Sequence, residues 1–319
     1  MTGLIDVHAH FVTDSYLRQA VAAGHAHPDG MQRWPDWSAE AHLELMDRHG
    51  IDIALLSMSS PGVHFGDDAA ARRLAREVNE DAARIAARHP GRFGFFASLP
   101  LPDVDGSLAE IAYAVDDLGA DGVVLMTNTQ GTYLGDARLE PVVAELGRRR
   151  TVVFLHPTSP VCGDRSALGR PRPMIEYLFD TTRTVVDLLL SGVLERHPDL
   201  EVIVPHCGGA LPVVADRVDE FTRLFLDAQG KTGAIEQLRR LYYDIAGPAF
   251  PRQAAALLGL AGPDRLLFGS DYCWTPPAVA AAHLDAIDTA PAPAPAAATW
   301  RALTTVNARR LFPGLTERE

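Results

Sequence analysis

The sequence has no long apolar run of the kind that crosses a membrane. Although 47% of its 319 residues are hydrophobic, no stretch approaches the roughly 18 consecutive apolar residues that a membrane-spanning helix requires. The first residues soon reach the polar Asp6 and His8 and lack the basic segment followed by an apolar one that a secretion signal needs. We therefore expect neither a membrane partner nor export by a standard signal.

The sequence also has few cysteines and no excess of positive charge. Three cysteines, Cys162, Cys207 and Cys273, lie far apart with no Cys-x-x-Cys pair, which excludes a disulfide framework and a cysteine-based zinc site. This usage is typical of a reducing compartment, and we expect a cytoplasmic protein. The formal net charge is −12 at pH 7, so the chain lacks the basic excess that attracts nucleic acid.

What the sequence does have is a regular alternation of short apolar runs with segments of helical spacing. Continuous apolar strands between helices are typical of a parallel sheet covered by helices, and eight such units close a (β/α)8 barrel. We predict one α/β domain of this type, a TIM barrel, over residues 1–319. The predicted strands are residues 4–7, 53–57, 94–99, 122–125, 152–155, 201–204, 241–244 and 266–268. The predicted helices are residues 39–49, 69–89, 107–118, 139–149, 181–197, 210–227, 252–260, 278–288 and 297–311.

Two connecting segments carry predictions of their own. Residues 18–37 show no convincing helix or strand period, and we predict an insertion after the first strand that forms a lid or pocket wall. Residues 289–298 (TAPAPAPAAA) are rich in alanine and proline. This composition predicts a surface loop between the last two helices rather than a linker between domains.

Histidine and aspartate residues follow four of the predicted strands. His8 and His10 come after the first run, and residues i and i+2 of an extended backbone point to the same side. His156, His206 and Asp271 follow the fifth, sixth and eighth runs. Because barrel enzymes place their active sites at the C-terminal ends of the strands, these five distant residues are predicted to converge.

Such a set has the chemistry of a metal site. Neutral imidazoles and a carboxylate suit Zn²⁺, Fe²⁺, Co²⁺ or Mn²⁺, and the number of protein ligands leaves positions open for water or substrate. An open position indicates catalysis rather than a structural role. We expect one divalent ion, with zinc first and manganese as the alternative, and no organic cofactor, since the chain lacks a nucleotide-binding glycine signature.

At these residues the chain resembles the amidohydrolase superfamily, whose signature is His-x-His after strand 1, His after strands 5 and 6, and Asp after strand 8. Members with two metals add a carboxylated lysine after strand 4, but here that strand ends at residues 125–128 (LMTN) without a lysine. The resemblance therefore implies a single metal ion.

Within that superfamily the chain is similar to the decarboxylase branch that includes aminocarboxymuconate-semialdehyde decarboxylase and γ-resorcylate decarboxylase. The similarity lies in residues 189–195 (LLSGVLE), 206–209 (HCGG) and 269–272 (GSDY). A narrower likeness, to 6-methylsalicylate decarboxylases, covers nearly the whole chain and is carried by residues 92–100 (RFGFFASLP), 120–122 (ADG), 131–135 (GTYLG), 153–158 (VFLHPT) and 180–183 (DTTR). It implies non-oxidative decarboxylation of a small salicylate-like or related unsaturated carboxylic acid. The sequence departs from this pattern at Cys207 and at Cys273-Trp274, which lie close to the predicted ligands His206 and Asp271 in the sequence.

The resemblance also implies roles for the site residues. His8, His10, His156 and Asp271 would hold the metal, while His206 would lie beside it as an acid/base or a weak ligand. Asp271 or His206 would deliver the proton that decarboxylation needs.

Two arginines complete the implied site. Arg217 matches an arginine that related decarboxylases extend into the neighbouring subunit, which implies a homodimer; an exposed helical arginine with partners four residues away is the alternative. Arg33, in the insertion, is a candidate for holding the substrate carboxylate. Trp274, Phe11 and Met126 are predicted to wall the ring-binding pocket.

The same ligands leave other reactions open. A hydrolase would use metal-activated water against a lactone, amide or ester carbonyl, and a hydratase would add that water to an unsaturated dicarboxylate. A metal-storing module would also keep histidines, yet it has no need for five ligating groups at a barrel mouth. The products separate the enzymes: CO₂, a pair of cleavage products, or the mass of one added water.

Overall fold

Eight parallel strands form the centre of the molecule, each built from one of the apolar runs. The computed structural model describes residues 3–225, 232–293 and 299–318. The barrel strands are β1 (Leu4–His10), β2 (Ile51–Ser57), β3 (Phe93–Ser98), β4 (Gly122–Met126), β7 (Val152–His156), β8 (Val202–Val204), β9 (Tyr242–Asp244) and β10 (Leu266–Leu267). A small antiparallel hairpin follows β4 and consists of β5 (Asn128–Thr129) and β6 (Thr132–Tyr133).

The strands are joined in chain order, and the first meets the last. Hydrogen-bonded neighbours run β1-β2-β3-β4-β7-β8-β9-β10, while bridges from Asp6 to Phe268 and from Ala9 to Tyr272 connect β1 with the segment around β10. The backbone N–H of Val7 donates to the carbonyl oxygen of Phe268 at 3.0 Å. The predicted (β/α)8 barrel is therefore confirmed.

The packing on the two faces of the barrel strands explains why each strand is a continuous apolar run in the sequence. Side chains such as Ile5, Val7, Leu55, Phe96 and Phe154 are fully buried and pack together as one cluster. Alternate residues of the same strands pack outward against the helices. Because both faces are covered, both need apolar side chains.

Thirteen α-helices are present in the described residues. They are α1 (Asp14–Ala22), α2 (Ala39–His49), α3 (Asp68–Arg88), α4 (Val104–Ala112), α5 (Glu140–Arg149), α6 (Gly163–Ser166), α7 (Glu176–Leu190), α8 (Val193–Arg196), α9 (Leu211–Phe225), α10 (Ala234–Arg240), α11 (Gln253–Ala261), α12 (Pro277–Thr289) and α13 (Trp300–Leu311). Helix α2 has the predicted bounds because Ser38 caps its first turn and Gly50, at φ 67°, ends it in the left-handed conformation.

The helix predictions did not include α6 or α10, and at two further places they fail for local reasons. The insertion after β1 is not without helix: α1 covers its first residues, and the hydroxyl of Thr13 caps it by accepting from the N–H of Tyr16. The predicted helix over 181–197 is two helices, α7 and α8, separated at Gly192, which has φ 77°.

Parts of three predictions lie outside the described residues. These are residues 226–227 of the predicted helix over 210–227, residues 297–298 of the predicted helix over 297–311, and residues 294–298 of the alanine/proline loop. The same loop prediction included Thr289, which is the last residue of α12. Among the described helices, none is both long enough and apolar enough to cross a membrane.

Candidate metal centre

Four of the five predicted ligands meet at the C-terminal end of the barrel. His8 and His10 lie on β1, His156 is the last residue of β7, and Asp271 follows β10. One ligating atom from each lies within 4.8 Å of those of the other three. Asp271 Oδ1 is 3.5 Å from His8 Nε2 and 3.3 Å from His10 Nε2.

These distances fit a shared cation. At a metal–nitrogen distance of about 2.05 Å, two tetrahedral ligands lie roughly 3.3 Å apart. Within the part of the chain that the structure describes, the buried His8 Nε2 and His10 Nε2 atoms have no hydrogen-bond partner. Buried polar atoms are normally satisfied, so this pair of nitrogens facing one carboxylate is the arrangement that a divalent ion would complete.

The other ring nitrogen of each β1 histidine is already engaged. His8 Nδ1 lies 2.9 Å from Asp244 Oδ2, and His10 Nδ1 lies 3.2 Å from the carbonyl oxygen of Ser57. Partners of this kind fix the imidazole so that its opposite nitrogen can bind a metal. Burial opposes protonation of His8, but the charges of Asp244 and Asp271 outweigh it and raise the His8 pKa.

Charge and burial prepare the remaining ligands for a cation. Burial lowers the pKa of His156 well below the ordinary imidazole value, and the nearby His10 lowers it further. Burial is also the main cause of the lowered pKa of His10. For Asp271, burial acts in the opposite direction, but His10 and His206 hold the carboxyl pKa well below its usual value. Metal binding needs neutral imidazoles and an ionised carboxylate, the forms that these shifts favour.

His206 lies beside this group of four. Its Nε2 atom is 3.5 Å from Asp271 Oδ2, and the residue follows β8 in a left-handed backbone conformation at φ 53°. Its backbone N–H donates to Asp244 Oδ1 at 2.9 Å. The arrangement places an imidazole next to a carboxylate, a pair that can hold or transfer a proton.

Sequence reasoning missed two buried carboxylates that support the centre. Asp244, the last residue of β9, contacts both His8 and His206 as described above. Asp6 Oδ1 accepts from the backbone N–H groups of His8 at 3.1 Å and Ser270 at 3.0 Å, and burial raises the pKa of Asp6 to about 7. The sequence signal for Asp6 is its place two residues before His8, on the same side of β1.

A cavity of about 350 Å³ opens over His156, His206 and Asp271. Its walls are mainly apolar and include Met31 from the insertion after β1, so that segment forms a pocket wall as predicted. Trp274 also lines the cavity, whereas Phe11 and Met126 are not among its lining residues.

Polar side chains reach the same cavity from several elements. They include Asp29, Gln253 and His283. His283 lies on α12, and its position on that helix turns it towards the cavity. A mainly apolar pocket with a few polar groups is the usual form of a small-molecule site.

The two predicted arginines lie elsewhere in the chain's own fold. The Arg33 side chain is 81% exposed and pairs with Asp36 at 3.6 Å. Arg217, on α9, is exposed and its guanidinium stacks over the ring of Phe221 at 4.5 Å. Neither arginine is among the residues that line the cavity.

The predicted ligands lie at the C-terminal mouth of a (β/α)8 barrel, beside an apolar cavity. This arrangement defines the class of protein as a metal-binding barrel enzyme. The amidohydrolase family model matches residues 5–314. The chain belongs to the amidohydrolase family.

Individual proteins agree with this assignment. The 6-methylsalicylic acid decarboxylase of Aspergillus aculeatus is 38% identical over 328 residues, covering 99% of this chain and 97% of that protein. A crystal structure of an amidohydrolase II protein has a TM-score of 0.89 and 32% identity, with 97% of this chain and 99% of that chain covered. A 2,6-dihydroxybenzoate decarboxylase in complex with 2,6-dihydroxybenzoate has a TM-score of 0.84 and 26% identity, with 98% and 100% covered.

Proposed function

We propose that this protein is a metal-dependent, non-oxidative decarboxylase of salicylate-like aromatic acids, with 6-methylsalicylate as the first candidate substrate. The observation that carries the proposal is the four-ligand centre with His206 beside it, opening into a cavity with mainly apolar walls. The similar protein from Aspergillus aculeatus, which is named for this reaction, supports the choice of substrate.

The assigned ligands are His8, His10, His156 and Asp271, with His206 as a neighbour that acts mainly on protons. When bound, the divalent cation would hold the substrate's carboxylate and ortho oxygen together and stabilise negative charge on them. Zinc is the ion that we propose, because mixed imidazole and carboxylate sites are common for it; manganese accepts the same ligands. The apolar walls would hold the ring and exclude water.

The proton comes from the pair formed by His206 and Asp271. It is added to the ring carbon that carries the carboxylate, the carbon–carboxylate bond breaks, and its electron pair returns to the ring as CO₂ leaves. Protonation interrupts aromaticity and is the difficult step, so a fixed acid next to that carbon matters most. His206 Nε2 lies 3.5 Å from Asp271 Oδ2, so the two proposed acid/base groups are neighbours in the site.

The working unit that we propose is a homodimer in which Arg217 reaches the neighbouring subunit's cavity. On the same helix, Val213, Phe221, Leu224 and Phe225 are between 43% and 82% exposed, an apolar surface of the kind that subunits bury. Arg33 remains a proposed substrate contact. We further propose that the chain is one domain and acts in the cytoplasm.

The test is anaerobic incubation of metal-analysed protein with 6-methylsalicylate and a panel of hydroxybenzoates, following CO₂ and the phenol product. We expect CO₂ from at least one acid, and none from the Asp271→Asn variant. Metal-loaded protein that releases no CO₂ but cleaves lactones or esters would be a hydrolase instead. A product heavier than its substrate by one water would indicate a hydratase.

A further inference from the structure

We propose that Asp244 is a positioning residue that selects the tautomer of His8 with one carboxylate oxygen and holds the backbone of His206 with the other. The inference uses the metal centre assigned above but does not depend on which reaction that centre catalyses. Asp244 ends β9 and is fully buried.

Both oxygens of Asp244 are used, and they serve different groups. Oδ2 lies 2.9 Å from His8 Nδ1. Oδ1 accepts from the backbone N–H of His206 at 2.9 Å and from that of Ala246 at 3.0 Å. The carboxylate thus connects β1 with the segments that follow β8 and β9.

The chemistry of these partners fixes the direction of each bond. A backbone N–H can only donate, so Oδ1 must accept from His206 and Ala246. A carboxylate also accepts at its second oxygen, which requires His8 to carry its proton on Nδ1. The lone pair is then on Nε2, the atom that lies 3.5 Å from Asp271 Oδ1, and this is the nitrogen that a metal needs.

The contact with His206 has a separate consequence. At φ 53° this residue is in the left-handed region, which is unfavourable for a non-glycine residue because its Cβ comes too close to the following carbonyl oxygen. The bond from its N–H to Asp244 helps to hold that conformation, and with it the imidazole beside Asp271. A single side chain therefore positions a metal ligand and the proposed acid/base.

An asparagine at this position separates the two tasks, because an amide has one accepting oxygen. If that oxygen faces the two backbone N–H groups, the NH₂ group faces His8 Nδ1 and forces its proton onto Nε2, which then cannot bind a metal. If the amide is reversed, the NH₂ group meets the N–H of His206 and displaces it. Two backbone donors outweigh one imidazole, so we expect the first orientation.

The primary experiment reads the tautomer of His8 directly in metal-free protein. Histidine ¹⁵N chemical shifts at alkaline pH, assigned with a His8→Gln variant, should show the proton on Nδ1 in the unmodified chain. In Asp244→Asn the proton should move to Nε2, and zinc affinity measured by competition with a chelator should fall about 10- to 100-fold, the range for lost support of a metal ligand.

The matched control is Asp180→Asn. Asp180 is also fully buried, and its two oxygens accept from Thr127, Asn128, Tyr133 and Arg183. This variant tests the same chemical change and should keep the His8 tautomer and the zinc affinity of the unmodified chain.

Two results would overturn the proposal. One is a neutral His8 that already carries its proton on Nε2 in the unmodified protein, a result that does not require any variant to fold. The other is an Asp244→Asn protein that keeps both its zinc affinity and its kcat. Neither zinc binding nor the tautomer involves CO₂, so failure of the decarboxylase assignment would be seen separately.

Discussion

The backbone N–H of Asp271 donates to the carbonyl oxygen of His8 at 2.8 Å. This bond lies where β1 meets the segment after β10, so the barrel closes at two of the residues that we assign to the cation. Closure of the fold and assembly of the centre therefore depend on the same contact. Removing Asp271 affects the ligand set, while the backbone bond itself does not need its side chain.

The first prediction concerns metal removal. Because the ligands come from both ends of the chain, zinc should bind only the folded protein and stabilise it by linkage, by about 2.7 kcal/mol at a hundred times the dissociation constant. Denaturant unfolding with and without zinc measures this difference. Asp271→Asn should lose most of the zinc-dependent part and little of the metal-free stability. If zinc stabilised both proteins equally, Asp271 would not be a ligand of the metal.

The second prediction concerns Arg217. If it acts in the neighbouring subunit, Arg217→Ala should lose activity without losing zinc, because it lies outside its own cavity. Mixing this variant with Asp271→Asn should restore activity, since each mixed dimer contains one site with both residues intact. Random exchange of equal amounts gives about a quarter of the wild-type activity.

Two controls make the mixing experiment decisive. Each variant alone should stay inactive, and sedimentation should show a dimer for both. Mixtures that remain inactive despite proven subunit exchange would place Arg217 outside the neighbouring site.

The strand order and the metal ligands could be predicted from sequence because both follow short-range patterns. The alternation of apolar runs with segments of helical spacing predicts the barrel. Histidine and aspartate residues at strand ends, such as His156 at the end of β7, predict the metal centre. The C-terminal ends of all barrel strands lie on one face, so residues at those ends can be predicted to lie close together however far apart they are in the sequence.

What the sequence could not show depends on contacts between distant elements. The partnership of Asp244 with His8 joins β9 to β1, and no local pattern marks it. His283 reaches the cavity because of the way α12 packs, which a helical period alone does not specify. The ends of α1 and α7 depend on single residues, Thr13 and Gly192, whose effect on the backbone competes with helix propensity.

The third prediction concerns acid stability and His42. This residue of α2 is fully buried, its Nδ1 accepts from Trp37 Nε1–H at 3.2 Å, and burial lowers its pKa to about 3. Between that value and the ordinary value of 6.5, the unfolded chain binds a proton that the folded chain does not. The free energy of unfolding should therefore fall as the pH is lowered through this range, by about 1.4 kcal/mol per pH unit from His42 alone.

The measurement compares metal-free wild type with His42→Leu by denaturant unfolding at several pH values. The variant should show a shallower loss of stability between pH 6.5 and about 3, because it lacks the titrating group. Its stability at pH 7 will also differ, since the bond from Trp37 is lost, so the slopes are compared rather than the absolute values. Identical slopes would show that His42 accepts a proton without unfolding.

The last prediction concerns substrate charge and Asp29. Its carboxylate lines the cavity and accepts from the hydroxyl of Ser159, and no lysine or arginine of the described chain lines that cavity. A second carboxylate on the ring, about 5 Å from Asp29, would be repelled by about 3 kcal/mol at an effective dielectric constant near 20.

Ring dicarboxylates should therefore have a kcat/KM roughly 100-fold below that of the matching monocarboxylate, since repulsion discriminates as effectively as attraction. Asp29→Asn keeps the size of the side chain and removes its charge, so the kcat/KM of the dicarboxylate should rise roughly 100-fold while that of the monocarboxylate stays unchanged. Asp14→Asn, an exposed change at the start of α1, should alter neither value. If Asp29→Asn raises the kcat/KM of both substrates equally, the substitution affects general access to the cavity, and the charge of Asp29 does not select the substrate.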